Sequence, residues 1–92
     1  METVIQSNKE CYVCGQTTNL HSHHVFFGSA NRKLSEKYGM KVWLCGAHHN
    51  QSNAGVHFNR QLDLRLKIDA QRVFEKQHSR EEFMQIFGRN YL

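Results

Sequence analysis

Cys45-Gly46-Ala47-His48-His49, read together with Cys11-Tyr12-Val13-Cys14-Gly15, decides the fold. A Cys-x-x-Cys pair is a metal-knuckle spacing that redox proteins share. Cys45-x-x-His48 repeats that spacing on the far side of residues 15–44. Together the pairs make a Cys₃His set, the composition of a closed tetrahedral zinc site. Gly15 and Gly46 follow the two knuckle cysteines, where the chain must turn sharply. Equal spacing favours His48 as the fourth ligand, with His49 as the alternative. The redox reading is weaker, because no strand precedes Cys11 and no helix directly follows Cys14.

The whole chain is consistent with such a staple. Ninety-two residues make one domain with a thin core. Hydrophobic residues are 39% and charged residues 22%, which excludes long disorder, coiled coil and collagen. No apolar run approaches the ~20 residues of a membrane helix. Met1-Glu2-Thr3-Val4-Ile5-Gln6 has neither the basic start nor the apolar core of a signal peptide. A cytoplasmic location is therefore expected, where thiols stay reduced. Three cysteines is an odd number for a disulfide framework, and seven histidines is a large excess. Cysteine and histidine together suggest metal.

The chain divides by texture. Residues 1–10 are polar and expected to fray. Residues 11–59 hold all three cysteines and six of the seven histidines. Within them, Leu20–Phe27 suits a short strand and Gly28–Arg32 a loop. Arg32–Tyr38 suits a helical turn ended by Gly39, and Lys41–Leu44 a second strand. A helix is expected from about Ala47. Residues 60–92 read as helical. Leu62, Leu66, Ala70, Val73 and Phe74 recur at helical steps, so one face is apolar. Ser79-Arg80-Glu81-Glu82 is a capping box, Phe83, Ile86 and Phe87 share a face, and Gly88 is a stop. These two helices are expected to be core and clamp, without chemistry.

The remaining histidines are placed unevenly. His21, His23 and His24 lie on the first strand, and alternation puts His21 and His23 on one face and His24 on the other. His49 opens the short helix beside the zinc ligand, with Asn53 one turn on. His57 falls on a similar face if the helix continues, or arrives through a bend at Gly55. His78 sits at a helix end and is set aside. The net charge is +4, and its basic excess lies between the histidine clusters, where Arg32, Lys33, Lys37 and Lys41 face only Glu36. That suggests a polyanionic partner.

Cys-x-x-Cys, His23-His24-Val25, Leu44-Cys45-x-x-His48-His49 and a downstream His57 together resemble the HNH endonuclease family. The resemblance covers residues 11–57. Residues 55–92 also resemble the tails of small phage and prophage HNH proteins. What it implies is an α+β fold, a small ββα-metal zinc-binding domain with two C-terminal helices. It implies metal-dependent hydrolysis of DNA. By that resemblance His23 and His49 hold a catalytic divalent cation, with His57 as third ligand and Asn53 as alternative, and His24 is the general base. The cation implied is Mg²⁺ or Mn²⁺, with Zn²⁺ or Ni²⁺ as alternatives, beside a structural Zn²⁺ on Cys11, Cys14, Cys45 and His48. Arg32, Lys33, Lys37 and Lys41 are then expected to contact phosphates, and a protein partner to supply specificity. The sequence departs from the family pattern in two places. His48 stands where a cysteine is usual, and Met40 stands where the family has its middle asparagine. Asn31 is the nearest residue able to orient His24. A zinc-stapled binding module without catalysis is the alternative function.

Overall fold

The computed structural model describes residues 3–50 and 55–92. Strand β1 (Leu20–His24) pairs antiparallel with β2 (Lys41–Cys45), and α1 (Ser29–Tyr38) links them. A short α2 (Gly46–His49) follows β2, then α3 (Arg60–Phe74) and α4 (Arg80–Phe87). Among the described residues the architecture is thus α+β, one two-stranded sheet with four helices. No helix among them is long and apolar enough to cross a membrane.

The register fixes the two sheet faces. Leu20 opposes Cys45, His21 Leu44, Ser22 Trp43, His23 Val42 and His24 Lys41. Opposed residues share a face. His21, His23, Val42 and Leu44 therefore lie on one side, and Ser22, His24, Lys41 and Trp43 on the other. The expected alternation of the strand histidines holds.

Two local expectations change. The stretch Gly28–Arg32 is not a loop, because α1 already begins at Ser29 and Arg32 N–H donates to Gly28 carbonyl at 2.8 Å. Asn31 therefore sits in the first turn of a helix. Gly46 is not a left-handed turn but the first residue of α2, with Cys45 as its N-cap. Gly15 (φ 79°) and Gly39 (φ 70°) do take the left-handed conformation that glycine adopts most readily.

The N-terminal stretch is tied down rather than frayed over residues 3–10. Trp43 forms a non-bonded pair with Ser22, so its N–H and carbonyl point to the outer edge of β2. There Trp43 N–H donates to Gln6 Oε1 at 2.6 Å, and its carbonyl accepts from Tyr12 N–H at 2.8 Å. Val4 N–H donates to Gly39 carbonyl at 3.1 Å. An open strand edge is satisfied, and covered, by this segment.

The C-terminal helices supply one side of the apolar core, as their periodicity predicts. Leu66, Ala70 and Phe74 of α3 are buried against Phe83 and Phe87 of α4 and Phe26 after β1. The Phe83 ring lies 5.3 Å from Phe26, 5.4 Å from Phe74 and 5.0 Å from Phe87. Ser79 and Glu82 form the capping box, and Gly88 ends α4 at φ 78°. Buried Gln71 fastens the tail, accepting from Tyr91 N–H at 2.7 Å and donating to Asn90 Oδ1 at 2.8 Å. Phe83→Ala empties the middle of this ring cluster and will cost about 3–5 kcal/mol, read as a lowered midpoint in urea unfolding of the zinc-loaded chain.

Candidate metal centres

Two clusters of metal-ligating side chains flank α2, one including His48 and the other His49. The first is Cys11, Cys14, Cys45 and His48, whose ligand atoms all lie within 4.8 Å of one another. The knuckle is closed by Gly15 N–H donating to Cys11 carbonyl at 2.8 Å and Cys11 N–H to Gln16 carbonyl at 2.8 Å. Cys45 ends β2, so helix α2 must begin there, and its first turn brings His48 back over the sulfurs.

The distances fit a tetrahedral ion. With metal–sulfur bonds of about 2.3 Å, two thiolates sit about 3.8 Å apart, and a thiolate and imidazole nitrogen about 3.6 Å. Cys14 Sγ and Cys45 Sγ are 3.8 Å apart. His48 Nδ1 is 3.7 Å from Cys11 Sγ and 3.2 Å from Cys45 Sγ. All three cysteines are free thiols. Burial alone would raise the Cys11 pKa, but backbone donors at Cys45, Cys14 and Val13, with the Cys14 thiol, bring it down to about 6. A thiolate is the form a metal takes. Cys11, Cys14, Cys45 and His48 are therefore positioned to hold a metal ion, compatible with structural zinc. His48, not His49, completes this set.

The second cluster is His23, His49 and His57, whose ring nitrogens again lie within 4.8 Å of one another. β1 supplies His23, and α2 supplies His49. His57 arrives by a return of the chain. Val56 N–H donates to His48 carbonyl at 2.7 Å and His57 N–H to His49 carbonyl at 3.3 Å. His49 Nε2 and His57 Nε2 are 3.2 Å apart, close to the ~3.3 Å between two nitrogens on one tetrahedral ion. His23 is 3% exposed, and its Nε2 has no hydrogen-bond partner. A buried unpartnered nitrogen costs roughly 1–3 kcal/mol unless something takes its lone pair or proton. Burial, then His49 and His57, hold the His23 pKa down to about 3. Burial, then His57 and His21, also lower that of His49. Both rings are thereby held in the neutral, ligating form. Asn53 lies outside the described residues.

Sequence reasoning assigns no role to His21, yet its Nδ1 lies 2.9 Å from His49 Nδ1. When His49 Nε2 takes a metal ion, the ring proton must sit on Nδ1, which then donates to His21 Nδ1 and fixes the tautomer. Such a partner behind a metal-bound imidazole typically contributes 10–100-fold in affinity. His21→Ala will weaken binding of a second metal by roughly that factor, and His21→Gln will restore most of it. Titrating zinc-loaded protein with Co²⁺ and following its visible spectrum reads this directly. The only signal in the sequence is alternation, which puts His21 on the face of His23.

On the opposite sheet face, His24 Nε2 meets Glu36 Oε1 at 3.2 Å. Glu36 Oε2 is ion-paired with Lys41 Nζ. Lys41, then His24, lower the Glu36 pKa. Lys41 is 2% exposed and committed to this pair, so it is not a surface phosphate contact. The partner of His24 is Glu36, in the C-terminal half of α1, and not Asn31, which lies in the first turn of that helix. Arg32, Lys33 and Lys37 are exposed on α1. The chain was compared with protein-family models, with curated proteins and with solved structures, and nothing matches.

Proposed function

We propose that this protein is a metal-dependent endonuclease of the HNH type, built on a ββα-metal arrangement and hydrolysing DNA phosphodiester bonds. One observation carries the reading. Beside a Cys₃His set that accounts for the fold stands a second, separate set, His23, His49 and His57, with a buried ring nitrogen left unpartnered. A purely structural zinc module has no use for it.

His23, His49 and His57 would hold a divalent ion. Such an ion supplies a Lewis acid for the charge that develops on the scissile phosphate and on the leaving oxygen. Three imidazoles suit zinc or nickel better than magnesium or manganese, which prefer oxygen ligands.

The chain's own groups do the rest. His24 ends β1 on the face opposite His23, so it serves as base to a substrate that wraps the strand end. Glu36 accepts the Nε2 proton of His24 and fixes that tautomer, so Nδ1 is the nitrogen free to take a proton from water. The water oxygen then bonds to phosphorus as the bond to the 3′ oxygen breaks, and that oxygen takes its proton from solvent. Buried Lys41 holds Glu36 in place. Arg32, Lys33 and Lys37 contact flanking phosphates without reading sequence. A protein partner supplies specificity, and the cytoplasm is the compartment where the thiols stay ligated.

Nicking of supercoiled plasmid tests this, with Zn²⁺, Ni²⁺, Mn²⁺ or Mg²⁺ added in turn to zinc-loaded protein, and with EDTA as control. Conversion to open-circle or linear DNA that depends on the added ion is expected. A folded, zinc-loaded chain that cuts with none of them is a binding module instead.

A further inference from the structure

The geometry points to a stacking subsite for an unpaired nucleobase on Phe27, beside the three histidines, which makes single-stranded or locally opened DNA the substrate class. This rests on the nuclease reading only for where the scissile phosphate lies.

Phe27 is 46% exposed, although it follows two fully buried residues, Val25 and Phe26. The backbone before it is held in place. The Phe26 peptide is clamped by buried Ser35, whose hydroxyl donates to Phe26 carbonyl at 2.7 Å and accepts from Phe26 N–H at 3.2 Å. Phe26 itself is locked into the aromatic core at 4.4 Å from Phe87. Gly28 then turns the chain at φ 98°. The backbone that carries Phe27 is thus already ordered, which lowers the cost of binding.

Its surroundings select the ligand. The Phe27 ring lies 6.0 Å from His57 and 6.2 Å from His23. Lys67 Nζ stands 4.3 Å from the Phe27 ring centre, anchored by Asp63 Oδ2 at 2.9 Å. Beside this ammonium the Phe27 side chain still keeps nearly half of its surface open. Phe58, 64% exposed, follows His57 directly. An apolar ring beside a metal site and a cation suits a ligand that is flat and aromatic at one end and anionic at the other. A nucleotide has that form. In a duplex both faces of each base are covered by neighbours, so a ring can stack only on a base that has left the helix. Stacking of this kind tolerates every base and contributes roughly 5- to 150-fold per base in alanine substitutions.

The test is fluorescence anisotropy with a labelled oligothymidine strand and with a duplex of equal length, using zinc-loaded protein without further metal. Phe27→Ala is expected to weaken strand binding about tenfold and leave duplex binding unchanged. Phe27→Trp will restore or exceed the wild type. Phe27→Leu, which keeps apolar area but has no π face, will behave as alanine does. Half-exposed Phe27 carries little of the core, and a thermal melt of each variant checks that. Strand binding that survives Phe27→Ala, or that falls in parallel with duplex binding, overturns the subsite. Rescue by leucine also overturns it, because the contact is then merely apolar. Binding is read without cleavage, so a stacking subsite on a chain that cuts nothing leaves this inference standing while the nuclease reading falls.

Discussion

Cys45→Ser will leave a chain with no cooperative thermal transition and no tightly held zinc. The side chain is buried at the junction of β2 and α2, and its sulfur stands 3.8 Å from Cys14 and 3.2 Å from His48. A serine hydroxyl is not ionised at neutral pH and does not replace a thiolate ligand. Structural zinc in small domains carries an apparent binding energy on the order of 10–16 kcal/mol. Total stabilities of domains are only about 5–15 kcal/mol. Losing one of four ligands therefore removes as much as the fold has. The knuckle at residues 11–16 and α2 carry the four ligands, and residues 55–57 return onto the carbonyls of His48 and His49. Circular dichroism melts, with zinc released to a colorimetric chelator, measure both effects. A Cys45→Ser chain that still melts cooperatively without zinc would falsify the staple.

His24→Ala will abolish plasmid nicking while zinc content, melting temperature and DNA binding stay near wild type. A positioned general base contributes typically 10²–10⁴-fold, enough to take nicking below detection. The histidine lies outside both metal sets, and among the described residues its ring bonds to exposed Glu36, so its removal leaves the core intact. His23→Ala gives the contrast. It removes a buried ring whose Nε2 faces the second cluster, so affinity for the second ion and cleavage are lost together. If His24→Ala cuts at the wild-type rate while His23→Ala does not, the base is another group, and His21 is the next to test. Glu36→Gln keeps an acceptor for the His24 ring, so it should lower the turnover less than Glu36→Ala and leave the KM for DNA unchanged in both.

Several features were legible because their signals are local. The capping box Ser79–Glu82, the stop at Gly88 and the apolar face of α3 are all set within one or two helical turns. Equal spacing in Cys11-x-x-Cys14 and Cys45-x-x-His48 names four ligands, because a knuckle turn has one length. Alternation places His21 and His23 together and His24 apart, since a strand has period two. The loop expected at Gly28–Arg32 failed for a tertiary reason. A glycine and small polar residues look like a break, yet Ser35 bonding to the Phe26 peptide holds α1 against the strand end. The frayed start failed likewise, because a polar segment carries no periodicity and gains order only from the open edge of β2.

By itself, then, the sequence determined the four residues positioned to hold a metal ion, the two strands, the two C-terminal helices and the surplus of histidines around one short helix. Those rest on spacing along the chain, which elementary geometry converts into facing side chains. Only the tertiary structure decided how the surplus is sorted. It brought His57 back to His49 and put His21 behind it. It turned Lys41 from a surface cation into a buried partner of Glu36, and gave His24 a carboxylate in place of an asparagine. Each of these contacts joins residues of different segments, from 5 residues apart for Glu36 and Lys41 to 28 for His21 and His49. Their distances follow from how α1, α2 and the 55–57 return pack on a two-stranded sheet, and no local pattern encodes that packing.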